Sequence, residues 1–132
     1  MRKLLLPAII FVLLLSGCQG KTVQTSSRIS LTDIESITIK ALPSPPKIIT
    51  IDKKGDIEKI INHINSINKD KVKQEDINGW EFWVQTKGKE EHNIILVGNL
   101  INIDGVWYKI NADEIKKIRE IYNSLYYKEE PV

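Results

Sequence analysis

Few side chains in this sequence could do chemistry, and they are scattered. Histidine occurs twice, as His63 and His92. A predicted helix carries His63 at the border of its apolar stripe, and a predicted strand carries His92 near its start. If the fold joins them, two imidazoles can share a metal ion or divide acid and base roles; apart, they are ordinary half-exposed side chains. The carboxylates are equally dispersed. Asp70, Glu75 and Asp76 fall in one polar loop, but their spacing is not that of an EF-hand calcium loop. Asp33 and Glu35 are two apart and share a face if a strand forms there; a catalytic pair would also need burial to raise one pKa. Glu90-Glu91 sits where a hairpin loop is expected. The chain has a single cysteine, Cys18, so no disulfide or cysteine metal cluster can form within it. No glycine-rich phosphate loop, His-Glu-x-x-His or Gly-x-Ser-x-Gly occurs. The inventory names no cofactor, no metal site and no catalytic residue.

The position of Cys18 is more informative than its chemistry. Met1-Arg2-Lys3 is a short positive start, Leu4 to Leu15 is apolar apart from Pro7, and Ser16-Gly17 supplies small residues. Charged, apolar, then small is the order of a secretory signal. The apolar run is well short of the ~20 residues a membrane-spanning helix needs. Leu15-Ser16-Gly17-Cys18 resembles the lipobox of bacterial lipoproteins. The resemblance covers the first eighteen residues only. It implies that residues 1–17 are removed as a signal peptide and that the Cys18 sulfur carries a diacylglyceryl group. An ordinary cleaved signal with a stray cysteine, or an uncleaved apolar N-terminus, would leave the place of Cys18 unexplained. Two acyl chains hold a protein stably at a bilayer where one is marginal. The implied address is the outer, extracytoplasmic face of a cell membrane, reached through the lipid anchor.

Charge then excludes one class of partner. The whole chain has 19 basic and 17 acidic residues. Without Arg2 and Lys3 the remainder is formally neutral, so no basic excess exists to hold nucleic acid. Gln19 to Ser27 is polar and rich in small residues. Residues 18–27 thus read as a lipidated cysteine with a flexible tether, its nine tether residues spanning roughly 15–18 Å. Residues 28–132 read as one small domain.

The elements that must position any site follow from periodicity. Ile37, Ile39 and Ala41 alternate with Thr38 and Lys40, as in a strand, and residues 47–52 form a second one beyond a proline-rich break. Ile57, Ile60, Ile61, Ile64 and Ile67 make one helical stripe over about 56–68, with Asp56 placed as N-cap. From about 80 to 110 a four-stranded antiparallel meander is expected. Asp104-Gly105 and Gly98-Asn99 are two-residue hairpin turns. They set Ile103 opposite Val106, Ile101 opposite Tyr108, Leu96 opposite Ile101 and Ile94 opposite Ile103, all on one face. Trp80, Phe82 and Val84 can join that face only if the next loop has an odd number of residues, for instance Lys87 to Lys89. A second helix over about 112–127 starts at an Asn111/Glu114 capping box and buries Ile115, Ile118, Tyr122, Leu125 and Tyr126. The last residues read as a frayed tail. The fold class is α+β, with the helices on the face that carries Ile94, Leu96, Ile101 and Tyr108.

The opposite face would carry Glu81, Trp83, Ile95, Val97, Leu100, Asn102, Trp107 and Lys109, more apolar than a wet face needs. Either the N-terminal strands or a helix cover it, or it is an exposed patch with Trp83 and Trp107 as partner-binding anchors. The expected function is a non-catalytic binding or accessory module facing an envelope protein or ligand. Two alternatives stand beside it: a small envelope hydrolase or transferase using carboxylates with His92, and an inhibitor or immunity-type lipoprotein.

Overall fold

The computed structural model describes residues 28–42, 45–73 and 77–132. They form an α+β unit with one antiparallel sheet and two helices. The strands are β1 (Ile34–Ala41), β2 (Lys47–Ile51), β3 (Asp70–Lys71), β4 (Phe82–Gly88), β5 (Asn93–Val97), β6 (Leu100–Ile103), β7 (Val106–Lys109) and β8 (Glu130–Pro131). The helices are α1 (Lys54–Ser66) and α2 (Asp113–Ser124). Across the sheet the strands run β3-β7-β6-β5-β4-β1-β2-β8. The N-terminal hairpin therefore docks beside the meander through β1 and β4, extending the sheet sideways.

The meander registers follow the turn chemistry. Ile94 opposes Ile103, Leu96 opposes Ile101, Ile101 opposes Tyr108 and Ile103 opposes Val106. Asp104 takes the positive φ of 51° that the two-residue turn demands. In the β4–β5 hairpin Phe82 opposes Leu96 and Gln85 opposes Asn93. The loop keeps the required parity but is centred one residue later than Lys87 to Lys89. A two-residue slip of pairing leaves every side chain on its face, so pattern alone does not distinguish the two registers. Gly88 closes β4 and lies beside the start of β1. A Cβ on it would stand 1.7 Å from the Asp33 carbonyl oxygen, so only glycine lets the start of β1 lie against the end of β4.

Both helices pack on one face. Ile57, Ile60, Ile61 and Ile64 of α1 and Ile115, Ile118 and Tyr122 of α2 join Ile37, Ile39, Ile49, Ile51, Phe82, Val84, Ile94, Leu96 and Ile101 in one buried cluster. Ile29 belongs to it as well, 2% exposed. The Asn65 side chain holds Ile29 from both sides: its Oδ1 accepts the Ile29 N–H at 2.8 Å and its Nδ2 donates to the Ile29 carbonyl at 2.9 Å. Unpaired backbone groups under a helix are costly, and this amide supplies the partners a strand would have.

Several local expectations are corrected. The first helix starts at Lys54 with Lys53 as N-cap and no side-chain cap, and the N–H groups of Asp56 and Ile57 both reach the Lys53 carbonyl. The Asp56 carboxylate instead accepts the Tyr127 hydroxyl at 2.6 Å. The second helix stops at Ser124, because Leu125 turns extended. Helical spacing no longer applies beyond it, and Tyr126 is 95% exposed rather than buried. Asn111 does serve the helix start, its Oδ1 accepting the Asp113 N–H at 3.0 Å, while the Glu114 carboxylate turns to Lys117 at 3.2 Å. The C-terminal segment is not a free tail: Glu130–Pro131 pairs with β2, and Glu129 meets Lys47 at 2.6 Å. Proline is tolerated there because β8 is an edge strand. Trp80 precedes β4, next to Gly79 with its φ of 99°. Strand alternation does not reach it, and its ring lies against Trp83 instead of beside Phe82.

Candidate functional site

Antiparallel pairing puts successive residues on opposite faces, so the face away from the helices can be read row by row. One row runs Ile48, Lys40, Trp83, Ile95, Asn102, Trp107 across β2, β1, β4, β5, β6 and β7. Neither N-terminal strand covers this face, since both lie in the sheet itself. The buried residues of both helices belong to the opposite cluster. On this face Ile48, Trp83, Ile95, Val97 and Leu100 are half-buried, while Asn102 and Trp107, toward its β7 end, are buried.

The two tryptophans expected as anchors differ. Trp107 is only 8% exposed, although it stands outside the main core cluster. Trp83 is half-buried and lies in a knot of contacts. The Lys40 ammonium sits 4.5 Å over its ring, Trp80 approaches edge-on at 6.2 Å between centroids, and its Nε1–H donates to Asn93 Oδ1. Three inter-strand steps separate the tryptophans, about 14 Å at ordinary strand spacing. Trp80 is a site residue that strand periodicity missed.

Beside Trp83 the face dips into a cleft of about 450 Å³ lined by Thr38, Gln85, His92, Asn93 and Asp104 among others. The hairpin ends build it. His92 Nδ1 lies 2.7 Å from Asp104 Oδ2, and Asp104 Oδ1 accepts the Asn93 N–H at 2.8 Å. A carboxylate at Nδ1 calls for an N–H there, and on the other side of the ring Nε2 lies 3.7 Å from Glu90. Thr86 and His92 exchange two bonds: the Thr86 hydroxyl accepts the His92 N–H at 2.8 Å, and the Thr86 N–H donates to the His92 carbonyl at 3.0 Å. The contact of His92 with Asp104 has no signature in the sequence beyond the Asp-Gly turn itself.

No family model, curated protein or solved structure matches this chain. What the site can do rests on its own geometry.

The other candidates are not drawn together. His63 faces Glu114 at 3.2 Å in the helical layer, whereas His92 lines the cleft in the sheet. The two imidazoles do not form a pair. Asp70 lies in β3 opposite Lys109, and its expected companions Glu75 and Asp76 fall outside the described residues. Asp33 precedes β1 and Glu35 lies within the register shift between Ile34 and Ser36, so simple alternation does not align them. No group of three or more His, Cys, Asp or Glu placed to hold a metal ion occurs among the described residues. Cys18 and the tether, residues 18–27, also lie outside them. Among the described residues no helix is long and apolar enough to cross a membrane.

Three groups away from the cleft titrate abnormally. Burial, then the bond to Asp56, pushes the Tyr127 hydroxyl up to about 12. Burial, followed by the nearby Glu129, raises Tyr122. Burial lowers Lys69, with Glu114 pulling the other way. Tyr122 and Tyr127 lie where the helical layer meets the C-terminal segment, and Lys69 donates to the Ile67 carbonyl after the first helix.

Proposed function

We propose that this chain is a lipid-anchored binding module on the outer face of a bacterial membrane. Cys18 carries the diacylglyceryl group, residues 19–27 are the tether, and the sheet face around Trp83 meets the partner. One observation carries the reading of the face: both helices spend their apolar stripes on one side of the sheet, and the other side keeps Trp83, Ile95, Val97, Leu100 and Ile48 half-exposed. Contiguous apolar surface with an accessible tryptophan is what partner surfaces have in common. The join to the tether supports the same arrangement. Asn65 of α1 pins Ile29 into the core on the helical side, so the chain arrives on the layer opposite the Trp83 face.

Metabolic labelling with a fatty acid tests the anchor: label and membrane fractionation are expected for the native chain and not for Cys18→Ala. Photo-crosslinkers placed at Ile95 and, separately, at the exposed Lys116 of α2 test the face in intact cells. Capture of an envelope component from Ile95 but not Lys116 is expected. Equal capture from both, or an unlabelled cytosolic protein, overturns the reading.

The bond between Asp104 and His92 favours a second reading, an envelope hydrolase or transferase with His92 as general base. It requires a nucleophile or a water at Nε2. The nearest hydroxyl described, Thr86, is 2% exposed and already accepts the His92 backbone N–H. His92→Gln separates the readings: loss of turnover with unchanged crosslinking supports the enzyme, and unchanged crosslinking without any turnover to lose supports the module.

A further inference from the structure

The cleft beside Trp83 has a specific chemical character once its internal bonds are counted. Asp104 uses one oxygen on the Asn93 N–H and the other on His92. Lys87 and Glu91, of opposite sign, also line the cleft, and neutral groups stand with them. Because Trp83 Nε1–H is bonded to Asn93 Oδ1, that bond leaves the Asn93 Nδ2 donors unused. Gln85 opposes Asn93 on β5 and Thr38 on β1, so a hydroxyl and two amides stand in one row across three strands. Their spacing is about 5 Å per strand. The adjacent row, two residues along β4, presents Trp83.

We infer that this cleft binds a neutral saccharide, the indole of Trp83 taking the C–H face of a sugar ring and Thr38, Gln85 and Asn93 taking its hydroxyls. An anion would meet the carboxylates of Asp104 and Glu91 against one lining lysine, Lys87. A purely apolar ligand would strand three neutral polar side chains without partners, which costs more than the indole contact returns. A polyhydroxyl ligand uses both rows at once. The inference rests on the reading of this sheet face as the binding surface.

The test is titration of the full-length chain, purified in detergent, with chitotetraose and with maltotetraose, read by tryptophan fluorescence and by calorimetry. Saturable binding of at least one is expected. Trp83→Ala and Gln85→Ala should each weaken it by roughly tenfold or more, whereas Lys116→Ala on α2 should not. Thermal melts of the variants verify that the fold persists; Gln85 is half-buried on the open face and its truncation leaves the core intact. Failure of both sugars to saturate, or binding that survives both substitutions, overturns the saccharide site. The titration needs neither anchor nor cell, so failure there together with capture from Ile95 in cells would remove the ligand class and leave the partner surface standing.

Discussion

Replacing Asn65 with alanine should loosen the seating of the segment around Ile29 by a calculable amount. In the native chain the Asn65 amide makes two bonds to one residue, 2.8 Å from the Ile29 N–H and 2.9 Å to the Ile29 carbonyl. Ile29 is 2% exposed, so water does not readily replace the lost partner while the isoleucine stays seated. Two hydrogen bonds at about 1 kcal/mol each put the loss near 2 kcal/mol. For a domain of this size that lowers the melting temperature by about 8 °C. Asn65→Asp is the informative companion. It keeps an acceptor for the Ile29 N–H but turns a carboxylate oxygen toward the Ile29 carbonyl, so at neutral pH it should be no less damaging than alanine. The local readout is hydrogen exchange at the Ile29 amide, with limited proteolysis between Arg28 and Leu31 as a second. Both should accelerate in Asn65→Ala while the amides of β5 and β6 stay protected at temperatures below the melt. An unchanged melting temperature with Ile29 still protected would refute the idea that this amide holds the N-terminal segment in the core.

Three further predictions follow from contacts elsewhere. Gly88→Ala should cost about 4 kcal/mol or more, because its Cβ would meet the Asp33 carbonyl oxygen at 1.7 Å and only separation of β1 from β4 relieves that; a loss below about 1 kcal/mol in urea denaturation would contradict it. Tyr127→Phe should destabilise by about 1 kcal/mol at neutral pH through the lost bond to Asp56. Since the folded-state pKa of Tyr127 is raised from 10.0 to about 12, the protonated phenol is the form the fold favours; the advantage of the native chain over Tyr127→Phe is whole below pH 10 and fades as pH rises toward 12, and a difference that stays constant across that window would count against it. Arg119 donates from Nη1 to the Leu42 carbonyl at 2.7 Å and lies 4.7 Å over the Phe82 ring, so Arg119→Lys should lose most of what Arg119→Ala loses, about 1–2 kcal/mol by thermal melting; full rescue by lysine would show that only charge matters there.

The parts of the fold that could be read from the sequence are those decided by neighbours along the chain. Asp104-Gly105 and Gly98-Asn99 each fix a turn type, and the turn type fixes which residues oppose one another, so the β5–β6–β7 registers and the apolar face were determined locally. The β4–β5 loop lacks such a dipeptide, and parity alone left two registers a pair of residues apart. The end of β4 is set against β1 by a contact distant in sequence, through the space that Gly88 leaves for Asp33. Ends of elements failed for the same reason. Asp56 has the right chemistry for an N-cap, but the Tyr127 hydroxyl, far along the chain, claims its carboxylate. Glu130 and Pro131 have weak strand propensity and are strand because the β2 edge offers bonds.

The candidate site was hidden by a different limit. Searching a sequence for function means searching for residue types suited to a task, and on that criterion Asp104 is a turn residue, Lys40 a solvated strand lysine and Asn93 unremarked. Their roles appear only when the β1–β4 and β4–β5 pairings set Thr38, Gln85 and Asn93 side by side next to Trp83. The hairpin geometry that places Asp104 at positive φ also aims its carboxylate at the Asn93 N–H and His92, so the turn neutralises the charges that residue counting would have offered as catalysts. The same bonds that stabilise the hairpin ends thus shape what the cleft can recognise: Asp104 and His92 are consumed within the protein, and amides, a hydroxyl and an indole stand beside Lys87 and Glu91 for a ligand. Asp104→Asn is the substitution that separates these two consequences. It keeps the turn and an acceptor for Asn93, and removes the charge that orders His92. If the cleft works through its neutral groups, Asp104→Asn should change saccharide affinity by no more than about threefold, whereas Gln85→Ala should change it by tenfold or more. The reverse ranking would mean that the charged pair, and not the neutral row, is what the ligand meets.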